Sequence, residues 1–390
     1  MPRIIIIFYF ILLSSNLFAQ STTFIDSTYI NNFIYTEFEN NINNARLNSR
    51  INYSLLKPKL FISFKNFYNS DVSKLSQNFF RDFDNLKFEA LYLKSNKLNF
   101  GGGVRSSILS DERITQSNVN NNVFVYSTAN YNVTPDIGFK LNAGMKRENQ
   151  IGETASGFSG EFKSDIPYLN IENYIARSNV YLSYDALDKK KNYQNELFTE
   201  LYKKFADGSS NTGIVRYYSL RRDFFVTATP SISQQNGILN NVESRIENAV
   251  QLEDNFNYML SQKGGIKLGG LYLTKTINRE FKYDANPQNV LIENVYDTKI
   301  FENKLEFYSG IHFRFYNLGL NTELSYAERS ENHDVTNPAL YTQSQLTELE
   351  KVEKNKNNNS KKTYLNYEFF YDVSKVHSLE FRGYASILHY

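Results

Sequence analysis

Four histidines are the side chains most suited to catalysis or metal binding: His312, His333, His377 and His389. None stands at metal-ligand spacing from another histidine. His312 lies between Ile311 and Phe313 in an alternating segment, His333 is expected in a loop, and His377 follows a tight turn. A Ser–His hydrolase would need partners that meet only in space, and no motif in the chain points to one. With 0 Cys in 390 residues, thiol nucleophiles and thiolate metal sites are excluded. Gly101-Gly102-Gly103 is no phosphate loop, because no Lys-Ser/Thr follows it; glycines inside a strand instead permit a bend or a close backbone approach. The expectation is no enzyme, no cofactor, and neither a catalytic nor a metal site.

Charged clusters offer a different chemistry. Glu243, Glu247, Glu253 and Asp254 accompany Arg245, and Arg221, Arg222 and Asp223 sit together. Inside a pore such groups form a constriction that selects ions by sign. Elsewhere they are ordinary polar lining and strand-end pairing. The elements that carry them decide between the two.

Those elements read as strands. Ala45, Leu47, Ile51, Tyr53 and Leu55 share one face, opposed by Arg46, Asn48, Arg50 and Asn52. Val123, Val125, Ala129, Tyr131 and Val133 repeat the pattern. Ile137, Phe139, Leu141, Ala143 and Met145 do so against Lys140, Asn142 and Lys146. Ile246, Val250, Leu252, Phe256, Tyr258 and Leu260 form another apolar face, and Leu305, Phe307, Ile311, Phe313 and Phe315 the next. A period of two means strands with one apolar and one polar face.

Short turns are expected at Lys57-Pro58, Ser95-Asn96, Thr134-Pro135-Asp136, Asp188–Asn192, Gln262–Gly264, Tyr316-Asn317 and Ser374–Val376. Longer polar segments are expected at Asn69–Asp84, Ser110–Asn120, Glu148–Pro167, Tyr283–Asn303 and Glu328–Lys362. Tyr168–Leu187 and Ser244–Leu260 read as single long strands. Gln343–Lys362, with Leu346, Leu349 and Val352 three apart before an Asn/Lys-rich end, reads as a solvated, mobile outer loop, the alternative being a receptor or adhesive loop with a short helix. Alternating short and long connections are how an up-and-down barrel of an outer membrane reads. Its mean hydropathy of −0.48 does not oppose this, because lipid-facing and lumen-facing residues average to a polar score.

The amino terminus supplies the compartment. Arg3, the apolar run Ile4–Leu13 and Ala19 before Gln20 follow the order of a secretory signal peptide. The run is shorter than the roughly 20 residues a spanning helix needs. A signal peptide at 1–19 and one barrel domain at 20–390 follow, with no plug expected before the first strand. The 43 basic and 41 acidic residues are spread along the chain, so no nucleic-acid partner is indicated.

Phe18-Ala19-Gln20, the Asn/Tyr-rich alternating strands and the aromatic end at Tyr390 resemble outer-membrane β-barrel proteins, porin-like ones, of Bacteroidota and related bacteria. That resemblance implies a channel or transport protein in contact with outer-membrane lipid and built by the barrel-assembly machinery. Tyr390 falls on the face opposite Leu379, Phe381, Gly383, Ala385 and Ile387, and the turn count sends the last strand outward.

The reading is therefore all-β: an antiparallel up-and-down transmembrane barrel of about 16–18 strands, with a closing strand missing or one strand miscounted near the amino terminus. Arg46, Arg50, Lys140, Lys146 and Arg216 are the expected lumen-lining residues, tuning the passage of small solutes or ions. A plugged structural or surface-interaction barrel with binding loops is the alternative, and an outer-membrane hydrolase a more remote one.

Overall fold

The computed structural model describes residues 32–389, apart from 75–77, 112–117, 135–136, 284–297, 337 and 375–376. The signal-peptide reading of 1–19 and the terminal Tyr390 lie outside the described residues. Among the described residues, seventeen strands form one sheet. They are β1 (Phe33–Asn40), β2 (Asn44–Lys57), β3 (Leu60–Lys74), β4 (Asn78–Leu93), β5 (Leu98–Asp111) and β6 (Asn118–Thr134). Next come β7 (Ile137–Gln150), β8 (Glu153–Ile171), β9 (Tyr174–Leu187), β10 (Lys191–Lys204), β11 (Ser210–Thr227) and β12 (Asn240–Ser261). The wall ends with β13 (Gly264–Phe281), β14 (Thr298–Phe315), β15 (Leu318–Asp334), β16 (Asn358–Asp372) and β17 (Ser378–His389). Two helices interrupt the strands, α1 (Pro230–Asn236) and α2 (Gln343–Lys354).

Every register is antiparallel and joins sequence neighbours, from β1 with β2 to β16 with β17. This is the expected up-and-down meander. No register joins β1 to β17 among the described residues, so the sheet is not closed.

The connections sort by end. Those after even-numbered strands are short, the longest being 205–209 and 373–377. Those after odd-numbered strands include 228–239, 282–297 and 335–357. Three register shifts, at 132/134, 166/169 and 259/261, all lie near the short-turn end, where bulges commonly re-aim strands. Both β1 and β17 run from the short-turn end to the long-loop end, as expected for the last strand.

Three expected boundaries are corrected. Tyr168–Leu187 is not one strand: Glu172 (φ 49°) and Asn173 (φ 72°) form a two-residue hairpin turn of the kind that needs two positive φ values. Neither glycine nor proline marks it, so the alternation ran straight through. Asn69–Asp84 and Glu148–Pro167 are not long polar loops but the adjoining ends of β3 and β4 and of β7 and β8. Their polar residues occupy the inner face or the strand ends. Asp188–Asn192 is short as expected, yet its turn, 188–190, lies at the long-loop end.

Gln343–Lys362 also departs from its reading as a mobile loop. Its first half is α2, started by a capping box in which Thr342 and Gln345 satisfy each other's backbone N–H groups. Leu349 and Glu353 of α2 are buried, and the helix packs on β15. The low complexity that suggested disorder begins only after Lys354, and from Asn358 that stretch is β16.

The two faces of the sheet are inverted relative to a water-soluble protein. Met145, Phe307, Leu324 and Phe381 are 61%, 54%, 54% and 60% exposed. Glu89, Asn142, Ser159 and Asp185 are buried. The polar face is the concave one, because its side chains reach over intervening strands: Lys140 of β7 meets Glu89 of β4, and Lys190, beyond β9, meets Glu148 of β7.

Glycines allow this curl. A Cβ on Gly144 would lie 1.9 Å from the Val125 carbonyl oxygen, and one on Gly101 equally close to that of Ala90. Real Cβ atoms never approach so near, so the strands are packed backbone to backbone there. Gly144→Val should abolish the folded barrel, read as loss of a compact, heat-sensitive gel band, whereas Gly213→Ala, whose nearest neighbour is 3.9 Å away, should keep it.

Candidate functional site: a charged belt on the concave face

Alternation sends Lys87 and Glu89 of β4, Arg105 of β5, Tyr126 of β6, and Lys140, Asn142, Lys146 and Glu148 of β7 to one face. Glu161 of β8 and Asp185 of β9 join them. Curvature then draws these strands together, and opposite charges meet.

Glu89 accepts from Lys140 at 2.5 Å and pairs with Lys87 at 3.2 Å, while the Tyr126 hydroxyl donates to it at 3.3 Å. Arg105 pairs with Glu161, and its guanidinium lies 5.1 Å and 4.9 Å from the ring centroids of Phe124 and Tyr126. Asn142 donates to the same Glu161 at 2.9 Å. Lys146 bridges Glu148 at 2.8 Å and Asp185 at 2.6 Å, and Ser159 donates to Asp185 at 2.6 Å. Lys190 then meets Glu148 at 2.6 Å. Signs alternate along the belt, so each buried charge has an opposite neighbour, which buried ions require.

A roof closes the belt towards the long-loop end. β11 follows β10 only to Arg221, whereas β11 and β12 continue together to Thr227 and Asn240. The overhang packs on the ends of β7–β9. Phe225 and Val242 form an apolar cluster with Ala155 and Leu187, and the Phe225 N–H donates to Gln150 at 3.2 Å. Lys189 pairs with Glu153 at 2.7 Å at the rim. Beneath the roof lies a cavity of about 660 Å³ lined by belt and roof residues, among them Arg105, Lys146, Glu161 and Asp185.

Of the five expected lining residues, the belt gathers Lys140 and Lys146. The other three stand on the concave face outside it. Arg46 pairs with Asp71 at 2.6 Å, Arg50 lies over the Phe67 ring at 5.2 Å, and Arg216 over Phe198 at 5.4 Å. Glu243 joins Arg245 and Arg279, each at 2.7 Å, and Arg221 joins Asp223 at 2.9 Å. The expected carboxylate cluster does not stay together, since Asp254 lies exposed among outward apolar residues and accepts from Asn211 at 2.9 Å.

Glu89, Arg105, Glu161 and Asp185 were missed. Their phase in the alternation was readable, but which of them meet depends on curvature.

The histidines remain apart in use. His333 stands in β15, not in a loop, because its backbone pairs with β14, and it contacts Glu331 at 2.9 Å and Glu353 at 3.8 Å, helping to hold α2; the His377 backbone N–H donates to the Ser374 hydroxyl oxygen. No group of three or more His, Asp or Glu among the described residues is arranged to hold a metal ion.

No family model matches the sequence, and no curated protein matches it. Among solved structures, the ferric citrate transporter FecA in its unliganded form is similar over 90% of this chain, at 9% identity and a TM-score of 0.35. The chain spans 58% of FecA's length. Pseudomonas aeruginosa OccK10 (OpdN) is similar over 92% of each chain, at 8% identity and a TM-score of 0.32. Both likenesses are distant, and the fold rests on the strand registers themselves.

Glu161→Ala should be destabilising by about 1–3 kcal/mol, because it leaves Arg105 and Asn142 without their shared acceptor. The temperature at which the compact gel band disappears would fall. Arg382→Ala, which removes the exposed pairs with Glu368 and Glu380, should leave that temperature unchanged.

Proposed function

We propose that this chain is an outer-membrane β-barrel that acts as a porin-like channel or transport protein, not an enzyme. The observation that carries the reading is the inverted sheet, with exposed leucines and phenylalanines on the convex face and ion-paired polar groups on the concave one. Exposed apolar side chains on this scale are unfavourable in water and favourable against lipid. Residues 1–19 are the export signal, the convex face meets outer-membrane lipid, and the barrel-assembly machinery inserts the chain. The long connections then face outward and the short turns the periplasm, as in outer-membrane barrels. Its kinship with porin-like proteins of Bacteroidota is proposed from the Asn/Tyr-rich strands.

Arg46, Arg50, Lys140, Lys146 and Arg216 line the interior on this reading, and small solutes or ions pass along it. The cavity lining holds five cations (Arg105, Lys146, Lys190, Arg221, Arg222) against four carboxylates (Glu148, Glu161, Asp185, Asp223), so selectivity by sign should be weak. A second reading, a plugged structural barrel whose loops bind at the surface, draws support from the buried belt, which fills the concavity between β4 and β9.

Two measurements separate these readings. Detergent-extracted protein run unboiled and boiled should migrate differently, as a stable barrel does. Reconstituted in a planar bilayer, it should then conduct with little preference between anions and cations. A gel shift without conductance would favour the plugged barrel, and a soluble protein without a shift would remove the barrel reading.

A further inference from the structure

The two strands that overhang β10 carry different chemistry on their two faces. Phe225 and Val242 share the face that packs on the ends of β7–β9. The opposite face carries Arg222 and Arg245, which stand directly across from each other in the β11–β12 register. Arg245 is opposed in turn by Arg279 of β13. Three arginines thus stand abreast on neighbouring strands. With strands about 4.8 Å apart, the row is about 10 Å long. Like charges directly opposite one another are destabilising, so the row calls for an anionic partner.

The chain supplies only part of one. Glu243 is buried and accepts from Arg245 at 2.7 Å and from Arg279 at 2.7 Å and 3.1 Å, so both its oxygens are engaged. Glu247, the other carboxylate diagonal to Arg222, pairs with Lys275 at 3.0 Å. Around the row, Arg222, Arg245, Lys275 and Arg279 therefore face only Glu243 and Glu247. Arg222 is exposed, and among the described residues no carboxylate pairs with it. It is also the surplus cation of the cavity lining, since Arg105, Lys146, Lys190 and Arg221 all have carboxylate partners.

Two of the guanidinium groups are held in place as well as charged. Phe224 and Phe281 flank Glu243 in the next row of the ladder. Arg245 lies 5.7 Å from the Phe224 ring centroid, and Arg279 5.2 Å from that of Phe281. A guanidinium held by a ring and a carboxylate presents a fixed fork of N–H donors, the geometry that grips phosphate oxygens. The surplus of positive charge also fits a phosphate monoester, which carries roughly −1.5 to −2 near neutral pH.

We propose that Arg222, Arg245 and Arg279 form a binding site for a phosphoryl group, taking inorganic phosphate or the phosphate of a small ester. The site opens on the concave side, away from lipid, so its ligand is a dissolved phosphate and not a lipid headgroup. That placement rests on the barrel reading above.

The test is calorimetric titration of inorganic phosphate into detergent-extracted protein, at constant ionic strength with chloride as the background anion. The parent should show saturable, stoichiometric binding. Arg222→Gln removes the arginine that has no carboxylate to lose, so the compact, heat-sensitive gel band should persist. Its affinity for phosphate should fall about tenfold or more, the worth of one hydrogen bond between charged groups. Arg382→Gln, in β17, should bind as the parent does. Phosphate should also raise the temperature at which the band disappears, in the parent but not in Arg222→Gln. No saturable binding by a parent that keeps its gel shift would overturn the site, and so would equal affinity in parent and Arg222→Gln. Binding that depends on Arg222 in a protein without a gel shift would uphold the site and count against the barrel reading instead.

Discussion

Ladder hydrogen bonds between neighbouring strands hold this molecule together, and almost everything else follows from the pleat they impose. A pleated strand sends successive side chains to opposite faces. Because the strands pair in order, the faces of all seventeen merge into two continuous surfaces. One is apolar and convex, and the other is polar and concave. Among the described residues the buried apolar clusters are small, such as Phe61 with Leu91 and Leu93, or Phe225 with Ala155, Leu187 and Val242. The inside is built from charge.

That interior imposes its own demands. A carboxylate removed from water must meet a cation or several donors. Glu89, Glu161 and Asp185 each do, and their partners come from strands two or three positions away in the order. Such reach requires a tight curl, which inward glycines such as Gly144 permit by letting adjacent backbones touch. Sequence spacing therefore shapes the wall, and the shape selects the ion pairs. The overhang of β11 and β12 completes the enclosure by laying Phe225 over the rim.

Much of this wall was legible beforehand. The phase of β7, Leu141 and Met145 against Lys140 and Lys146, is read directly from period two. The strand count, the course of β17 towards the long-loop end and the role of Gly101 were also available. What escaped has physical causes. The Glu172-Asn173 turn uses positive φ without glycine, so no residue type announces it. The polar ends of β3, β4, β7 and β8 look like loops because hydrogen bonding to a neighbour, not side-chain polarity, makes a strand. The pairing of Arg105 with Glu161 depends on curvature, which one-dimensional spacing does not encode. A short helix at α2 was signalled by Leu346, Leu349 and Val352 three apart and by the capping-box pair Thr342 and Gln345, but the Asn/Lys-rich residues that follow it weighed towards a loop.

The central claim is that the convex face meets lipid and the concave face does not. Spin labels attached one at a time at Leu365, Asn366, Tyr367, Glu368 and Phe369 of β16, in protein reconstituted into bilayers, test it most directly. Collision with oxygen, which concentrates in lipid, should peak at 365, 367 and 369. Collision with a water-soluble nickel chelate should be weakest at those positions and stronger at 366 and 368. A profile without this two-residue alternation, or the chelate reaching all five positions equally, would contradict the account.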